Sequence, residues 1–228
     1  MKTLRLLAVL LEYPREELWQ HGDELRAAAG ESGLCAERQH LLLALVDRVL
    51  GMDPMTAQQG WLELFDRGRA MSLLVFEHIH GESRDRGQAM VDLVEAYRKH
   101  GFEIATRELP DYLPLLLEYL STRPQDEITD WLKHISHIIE LLAARSHERG
   151  SDYAVLFEAL LEIAQGEVDI SLMRRRAASE ARDDTQEAID KVWEEEAVRF
   201  GVEAPDENCQ PPRRLPAGVE RIEPKVTP

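Results

Sequence analysis

The sequence predicts an all-α protein, and three observations support that fold class. Apolar residues recur at the i, i+3, i+4 spacing of one helix face along most of the chain. The aromatic share is only 6%, which favours aliphatic helix packing over a β-sandwich. Pro14, Gly30 and Gly51 stand where periodic segments end, as helix stops do. Because 228 residues suffice for a sizeable core, we expect one helical bundle over residues 1–200.

Five helices are predicted in the first hundred residues. The first is carried by Leu4, Leu7 and Leu11, which form one apolar stripe that ends before Pro14. The fifth ends at Lys99, where basic residues meet the negative end of the helix and a glycine follows. The predicted helices cover residues 3–13, 16–29, 36–50, the segment around Trp61 after the turn at Asp53 and Pro54, and 83–100.

The second half begins with a helix that Asp111 is predicted to cap. Pro114 fits the first turn of this helix, because the amides there have no intrahelical partner. Its apolar stripe consists of the leucines at 113, 116, 117 and 120. Four more helices are predicted over residues 128–148, 153–165, 170–178 and 186–200. Prolines then recur with few apolar residues, so residues 201–228 are expected to be a disordered tail.

The net charge and the cysteine content exclude several classes of function. The formal net charge is −16, so the surface repels nucleic acid and anionic lipid and attracts a basic partner. Cys35 and Cys209 lie far apart without a Cys-x-x-Cys spacing, which excludes a disulfide framework and a four-thiolate metal or iron–sulfur site. This cysteine usage fits a reducing cytoplasm.

The N-terminus imitates a signal peptide, because Lys2 and Arg5 precede an apolar run over residues 6–11. That run stops at Glu12 and Pro14 without a small-residue cleavage site. Elsewhere no uncharged stretch reaches the roughly 20 residues that a membrane span needs. We therefore expect a cytoplasmic protein that does not insert into the membrane.

Glu77, His78 and His80 invite interpretation as a metal site, since imidazole and carboxylate are zinc and iron ligands. The chain has no H-E-x-x-H pair, and His134 and His137 fit the surface of an amphipathic helix. Phosphate-binding glycine loops and a G-x-S-x-G elbow are also missing from the sequence. We expect no metal and no catalytic set, and a metal-dependent helical enzyme remains the alternative.

Opposite charges flank a short apolar run. Asp66, Arg67 and Arg69 precede it, and Arg84, Asp85 and Arg86 follow it. They could form a salt-bridge network that pins the loop over residues 70–81 to the bundle, or they could be solvated charges at helix ends. The residues alone favour neither interpretation. The predicted network comprises Asp66, Arg67, Arg69, Glu77, His78, Arg84, Asp85 and Arg86.

The helix that begins near Pro114 is a candidate peptide-binding element. Glu108, Asp111 and Glu118 flank its apolar start, a combination that suits a basic amphipathic peptide. By themselves these residues fit an ordinary capped core helix better. The predicted peptide-binding residues are Glu108, Pro110, Asp111, Tyr112, Leu113, Leu117 and Glu118.

Three segments carry a family resemblance. They read FDRGRAMSLLVFEHIHGESRDRGQAMVD at residues 65–92, ELPDYLP at residues 108–114 and WEEE at residues 193–196. With them the chain resembles the nitrate reductase molybdenum cofactor assembly chaperones, the NarJ/NarW branch of the TorD/DmsD-like helical chaperones. The resemblance runs over residues 4–200.

The resemblance implies a cytoplasmic chaperone of the catalytic (alpha) subunit of a respiratory nitrate reductase. Such a chaperone binds the basic N-terminal segment of the apo-subunit and keeps it competent for molybdenum cofactor and iron–sulfur insertion, without binding a cofactor stably itself. Pro110 and Asp111 match the Glu-x-Pro-Asp-His stretch implicated in leader recognition, whereas Tyr112 replaces the histidine. The acidic run after Trp193 is a second candidate client contact. A permanent helical scaffold subunit is another alternative.

Overall fold

The computed structural model describes residues 1–81, 83–105, 108–165 and 169–201, apart from the side chains of residue 192 and of residues 195–201. Within these ranges the backbone forms thirteen α-helices, one 3₁₀ turn and no strand, which confirms the all-α prediction. The elements are α1 (Lys2–Leu11), α2 (Glu16–Gln20), α3 (Gly22–Gly30), α4 (Ala36–Gly51), α5 (Pro54–Phe65), the 3₁₀ turn (Arg69–Met71), α6 (Val75–His80), α7 (Arg84–Lys99), α8 (Leu113–Ser121), α9 (Gln125–His134), α10 (Ser136–Glu148), α11 (Ala154–Ile163), α12 (Ser171–Ser179) and α13 (Gln186–Gly201).

Helix α1 packs antiparallel along α8. The N-terminal ammonium of Met1 donates a hydrogen bond to the carbonyl of Ser121, at the far end of α8. Leu4, Leu7 and Leu11 are fully buried, as their spacing predicts. This packing places the leucines of α8 underneath α1 rather than at the surface.

Helix α11 lies at the centre of the core. Most of its residues are buried, including Leu156, Phe157 and Leu160, which are fully shielded from solvent. It packs against α10, α4 and α9. Burying each such side chain contributes about 1.5 to 3 kcal/mol, so this helix accounts for much of the hydrophobic stabilisation.

Two predicted helices are each split in two. Residues 16–29 divide at His21, whose backbone leaves the helical region at φ −104° and ψ 22°. The next residue, Gly22, packs closely against Leu50, which would lie 3.1 Å from a Cβ added there. Residues 128–148 divide at Ile135, whose backbone leaves the helical region at φ −101° and ψ 9°. Hydrophobic periodicity predicted neither break.

The prediction that Asp111 caps α8 is wrong. The N-cap of α8 is Tyr112, and no side chain caps that helix end. The Asp111 carboxylate instead accepts a hydrogen bond from the Phe76 amide at 3.0 Å, and its carbonyl accepts one from the Val75 amide at 3.0 Å. Asp111 therefore caps α6, a helix that the sequence prediction left as a loop.

The predicted tail over residues 201–228 lies outside the described residues, except for Gly201 at the end of α13. The domain boundary at residue 200 therefore stays a prediction. None of the helices in the described ranges combines the length and the apolar content needed to cross a membrane.

Candidate functional site

A surface groove of about 600 Å³ runs between α1, α2 and α3. Its floor is apolar: Leu6, Leu18 and Leu25 are buried in it, whereas Val9 keeps 42% of its surface exposed. Most of the other lining residues are charged or polar and lie at the rim of the groove. The full lining consists of Lys2, Arg5, Leu6, Val9, Glu12, Tyr13, Pro14, Arg15, Glu17, Leu18, His21, Glu24, Leu25 and Ala28.

One end of this groove is acidic. Glu12 lies there, and its pKa is raised by burial and by the nearby carboxylates of Glu118 and Glu108, against the opposing charge of Arg15. Burial, Glu12 and Glu108 also raise the pKa of Tyr112. Glu108 and Glu118, two of the predicted peptide-binding residues, thus lie beside the groove. We call Glu12, Glu108 and Glu118 the acidic rim.

The opposite end of the groove is basic. Lys2 lies within 3.8 Å of Glu31, and the Thr3 hydroxyl donates to the Ser32 carbonyl at 2.7 Å. These contacts fix the start of α1 beside the end of α3, so the two helices run antiparallel. Lys2 and Arg5 therefore lie about 10 to 15 Å from Glu12 along the α1 axis, at a rise of 1.5 Å per residue. The groove has an acidic and a basic end.

The structure corrects the predicted peptide surface. Leu113, Leu117 and Asp111 are at most 1% exposed, because α1 covers α8 and Asp111 faces α6. Pro110 is half-buried, and its carbonyl accepts a hydrogen bond from the Tyr97 hydroxyl at 2.8 Å. Leu113, Leu117 and Asp111 therefore support the site from beneath and do not line an open groove.

The groove residues of α1 were not predicted. Leu6 and Val9 lie in the run that resembles a signal peptide, and Glu12 follows that run. Glu12 meets Glu108 only after folding, and no local spacing relates residues so far apart in the chain. The exposure of Val9 is visible only in the folded structure, so the sequence carried no signal for this face.

The loop around residues 66–81 is held by the C-terminal part of the chain. The Ala70 amide donates to the Asp183 carboxylate at 2.6 Å, and the Ala70 carbonyl accepts from Arg145 Nη1 at 2.6 Å. Arg149 fixes Asp183 in turn at 2.8 Å. A Cβ on Gly68 would lie 2.7 Å from the Asp183 carboxylate, so only glycine permits this approach.

The ion pairs that hold the loop differ from those of the predicted salt-bridge network. Within the described part of the chain, no ion pair joins Asp66 or Arg67 to Arg84, Asp85 or Arg86. Of the predicted set, Arg86 lies 4.0 Å from the carboxylate of Asp111. The loop is pinned, but mainly by arginines of α10 and acids of the linker between α12 and α13.

Four residues of the predicted network converge on a second pocket, of about 350 Å³. Arg69, Glu77, His78 and Arg86 line it together with Ala70, Gly81 and Arg145. Glu77 accepts a hydrogen bond from the Ser72 hydroxyl at 2.5 Å, and His78 Nε2 donates to the Ser72 carbonyl at 2.8 Å. Burial lowers the pKa of His78, and the positive charge of Arg145 lowers it further. We call this the arginine pocket.

The predicted metal-ligand candidates do not converge. His78 points at the Ser72 carbonyl, and the ring of His80 packs edge-on against Phe76 at 5.9 Å. Over the ranges that the structure describes, no cluster of three or more His, Cys, Asp or Glu side chains could hold a metal ion. Trp193, the other candidate client contact, is 68% exposed, and the side chains of Glu195 and Glu196 lie outside the described set.

Comparison with known proteins identifies the family. The family model described as nitrate reductase delta subunit matches residues 31–159. The nitrate reductase molybdenum cofactor assembly chaperone NarJ of Escherichia coli K12 is 52% identical over 88% of this chain and 85% of its own length. A probable chaperone of the same description, NarW, from that organism is 43% identical over 88% and 84%. A probable NarJ of Bacillus subtilis is 31% identical over 70% and 86%. The chain therefore belongs to the NarJ family of nitrate reductase molybdenum cofactor assembly chaperones, as its three motifs indicated.

Proposed function

We propose that this protein is a cytoplasmic assembly chaperone that holds the apo catalytic subunit of a molybdenum nitrate reductase and keeps it competent for cofactor insertion. Membership of the NarJ family is the observation that carries this function. The role requires binding and release, and no bond is made or broken by the chaperone. The cofactor goes to the client.

The groove between α1, α2 and α3 is the proposed binding site for the basic N-terminal segment of the client. Its floor offers leucine and valine contacts, and the acidic rim supplies the opposite charge to a basic peptide. An amphipathic helix in such a groove places its apolar face on the floor and its Lys and Arg side chains at the rim. Affinity comes mainly from the apolar contacts, and charge mainly sets association rate and selectivity.

The dimensions of the groove suit a short helix. Helix α1 has ten residues, which span about 15 Å. A client helix lying along it places two or three apolar anchors on the floor, at i, i+3 or i+4, and i+7. Its basic N-terminal end is expected at the acidic rim, because the positive end of a helix dipole and a free amino group both favour carboxylates.

The test uses a synthetic peptide of the client's N-terminus and the full chain. Val9→Glu puts a charge on the groove floor and is expected to weaken binding at least about tenfold, because the peptide would bury that carboxylate unpaired. Val91→Glu is the matched control: Val91 is also an exposed valine on a helix, at 53%, and does not line the groove. Isothermal titration calorimetry measures both. Equal affinities for the two variants would reject the groove as the site.

The description of the family model as a delta subunit favours a second candidate function, that of a permanent subunit. Affinity purification of the tagged protein distinguishes an assembly chaperone from a permanent subunit. An assembly chaperone co-purifies with the apo-subunit and is absent from the mature membrane enzyme. Stoichiometric recovery with the active, cofactor-loaded enzyme would instead establish a permanent subunit.

A further inference from the structure

The solvent-exposed face of α1 carries opposite charges at its two ends. The exposed residues that line the groove follow one another three or four positions apart and form one stripe, which consists of Lys2, Arg5, Val9 and Glu12. Arg5 and Glu12 are seven residues apart, which is about 10 Å along the helix axis. One wall of the groove therefore has a cation at one end and a carboxylate at the other.

Helix α3 has the same polarity on the other wall. It runs antiparallel to α1, so Glu24 in its first turn lies toward Glu12. Ala28, in its last turn, lies toward Arg5. Glu17 belongs to α2, which follows the end of α1 in the chain. The carboxylates of the described lining residues therefore all lie toward the Glu12 end of the groove.

Arg5 is the available cation at the basic end. Its guanidinium forms no ion pair and no hydrogen bond with any other residue in the part of the chain that the structure describes. Lys2, at the same end, lies 3.8 Å from Glu31, and both of these side chains are largely exposed. A ligand carboxylate beside Arg5 would therefore displace no partner among the described residues.

The spacing of these charges defines the ligand. A helix that lies in the groove with a basic residue at the acidic rim places the residue seven positions later on the same face, about 10 Å further along. That position falls beside Arg5. We propose that the groove selects a client helix with a basic residue at the acidic rim and an acidic residue seven positions later, which pairs with Arg5. This selectivity rests on the proposed function, in which the groove binds the N-terminal segment of the client.

Arg5 also acts against the wrong peptides. A lysine or arginine at the later position would meet the like charge of Arg5, so a segment that is basic along its whole length is disfavoured. A neutral residue there gains nothing from Arg5. The negative C-terminal end of a bound helix falls at the same end of the groove and is favoured by the cation. Arg5 thus distinguishes peptides that the apolar floor would bind equally.

The experiment uses three amphipathic peptides that differ only at the position seven residues after a fixed lysine, which is Glu, Gln or Lys. Fluorescence anisotropy at low salt measures their binding to the full chain. The Glu peptide is expected to bind about twofold to fivefold more tightly than the Gln peptide, and the Lys peptide more weakly by a similar factor. The differences should shrink at high salt. A fourth peptide, with Glu five residues after the lysine and therefore on the opposite face, should bind like the Gln peptide.

Substitutions assign the preference to one side chain. Arg5→Gln is expected to remove the preference for the Glu peptide over the Gln peptide, and Arg5→Glu to reverse it in favour of the Lys peptide. Arg98→Gln is the matched control: Arg98 is an exposed arginine of α7 that does not line the groove, so this variant has the same net charge as Arg5→Gln. It should retain the preference of the unsubstituted chain.

Equal affinities of the three peptides for the unsubstituted chain would overturn the selectivity, as would a preference that persists in Arg5→Gln. Val9→Glu separates this failure from that of the proposed function. If Val9→Glu weakens peptides that otherwise bind equally, the groove remains the site and only the role of Arg5 is rejected. If no peptide binds, or if Val9→Glu changes nothing, the groove and the selectivity are rejected together.

Discussion

The peptide groove and the arginine pocket differ in how their charged groups are held. In the groove, Glu12 at the end of α1 has an exposed side chain whose carboxylate is partly desolvated, and its charge is favoured by Arg15 and opposed by Glu118 and Glu108. In the arginine pocket, Arg145 and the backbone of Ala70 are fixed by hydrogen bonds of 2.6 to 2.7 Å from several elements. The first surface is open and apolar, and the second is polar and pre-organised.

The two surfaces therefore differ in the chemistry that they would offer to a ligand. An apolar floor with a charged rim tolerates sequence variation in a bound helix, because hydrophobic contacts are not directional. Fixed guanidinium groups tolerate little variation, because charged hydrogen bonds require geometry. Four substitutions or pairs of substitutions test whether the two surfaces differ in this way.

The support of the groove is tested by Leu117→Ala. Leu117 is fully buried beneath α1, so this substitution is expected to lower the free energy of unfolding by about 2 to 5 kcal/mol. Val9→Ala, on the exposed outer face of α1, should change it by less than about 0.5 kcal/mol. Urea denaturation measures both. Similar values for the two would contradict the packing of α1 over α8.

The rigidity of the loop beside the arginine pocket is tested by Gly68→Ala. The new Cβ would lie 2.7 Å from the Asp183 carboxylate, which must move away from the Ala70 amide. A loss of about 1 to 3 kcal/mol of unfolding free energy is expected. Gly60→Ala, in the middle of α5 with open space around it, should instead stabilise the protein by about 0.5 to 1 kcal/mol. A loss at both glycines would argue against a specific clash at Gly68.

The pocket also predicts a pH dependence at His78. Its folded-state pKa lies below the ordinary value of 6.5, so the unfolded chain binds the proton more readily. The stability that His78 contributes is therefore fully present above pH 6.5 and is lost as the pH falls below it. Denaturation of the wild-type chain and of His78→Gln between about pH 7.5 and pH 5.5 should show the wild type losing more stability. Parallel curves would refute this.

The smallest expected effect is a change in peptide affinity that reports the direction in which the peptide lies in the groove. Glu12→Gln should weaken binding of a peptide whose lysines lie near its N-terminus by about twofold to fivefold, the size of one exposed ion pair. Arg5→Gln should leave that peptide unaffected or bind it slightly better, because Arg5 belongs to the basic end. Fluorescence anisotropy at low salt measures both. The opposite pattern would indicate a reversed peptide and leave the groove itself in place.

Much of the fold could be predicted because its signals are local. The apolar stripe of α1, the proline that follows it and the presence of a helix at α11 were predicted from periodicity and helix stops. The breaks at His21 and Ile135 were not predicted, because apolar periodicity does not report a single residue whose backbone leaves the helical region. Helix α6 was missed because its cap, Asp111, lies 35 residues further along the chain.

The residues of the candidate sites also include some that the sequence predicted and some that it did not. The sequence singled out Glu108 and Glu118, which lie beside the groove, and Arg69, Glu77, His78 and Arg86, which line the arginine pocket. The apolar contacts that it predicted on α8 are buried, because periodicity shows that a leucine stripe is apolar but not which neighbour covers it. Leu117 is buried for that reason, and Val9 is exposed.

The all-helical class, the acidic surface and the family could be read from the residues, since apolar periodicity, net charge and motif identity need no knowledge of the fold. That α1 covers α8 and carries the groove, and that arginines from the 3₁₀ turn, α7 and α10 line one pocket, is visible only in the folded chain. Burial and the convergence of charges depend on contacts between residues distant in the chain, which local spacing does not encode.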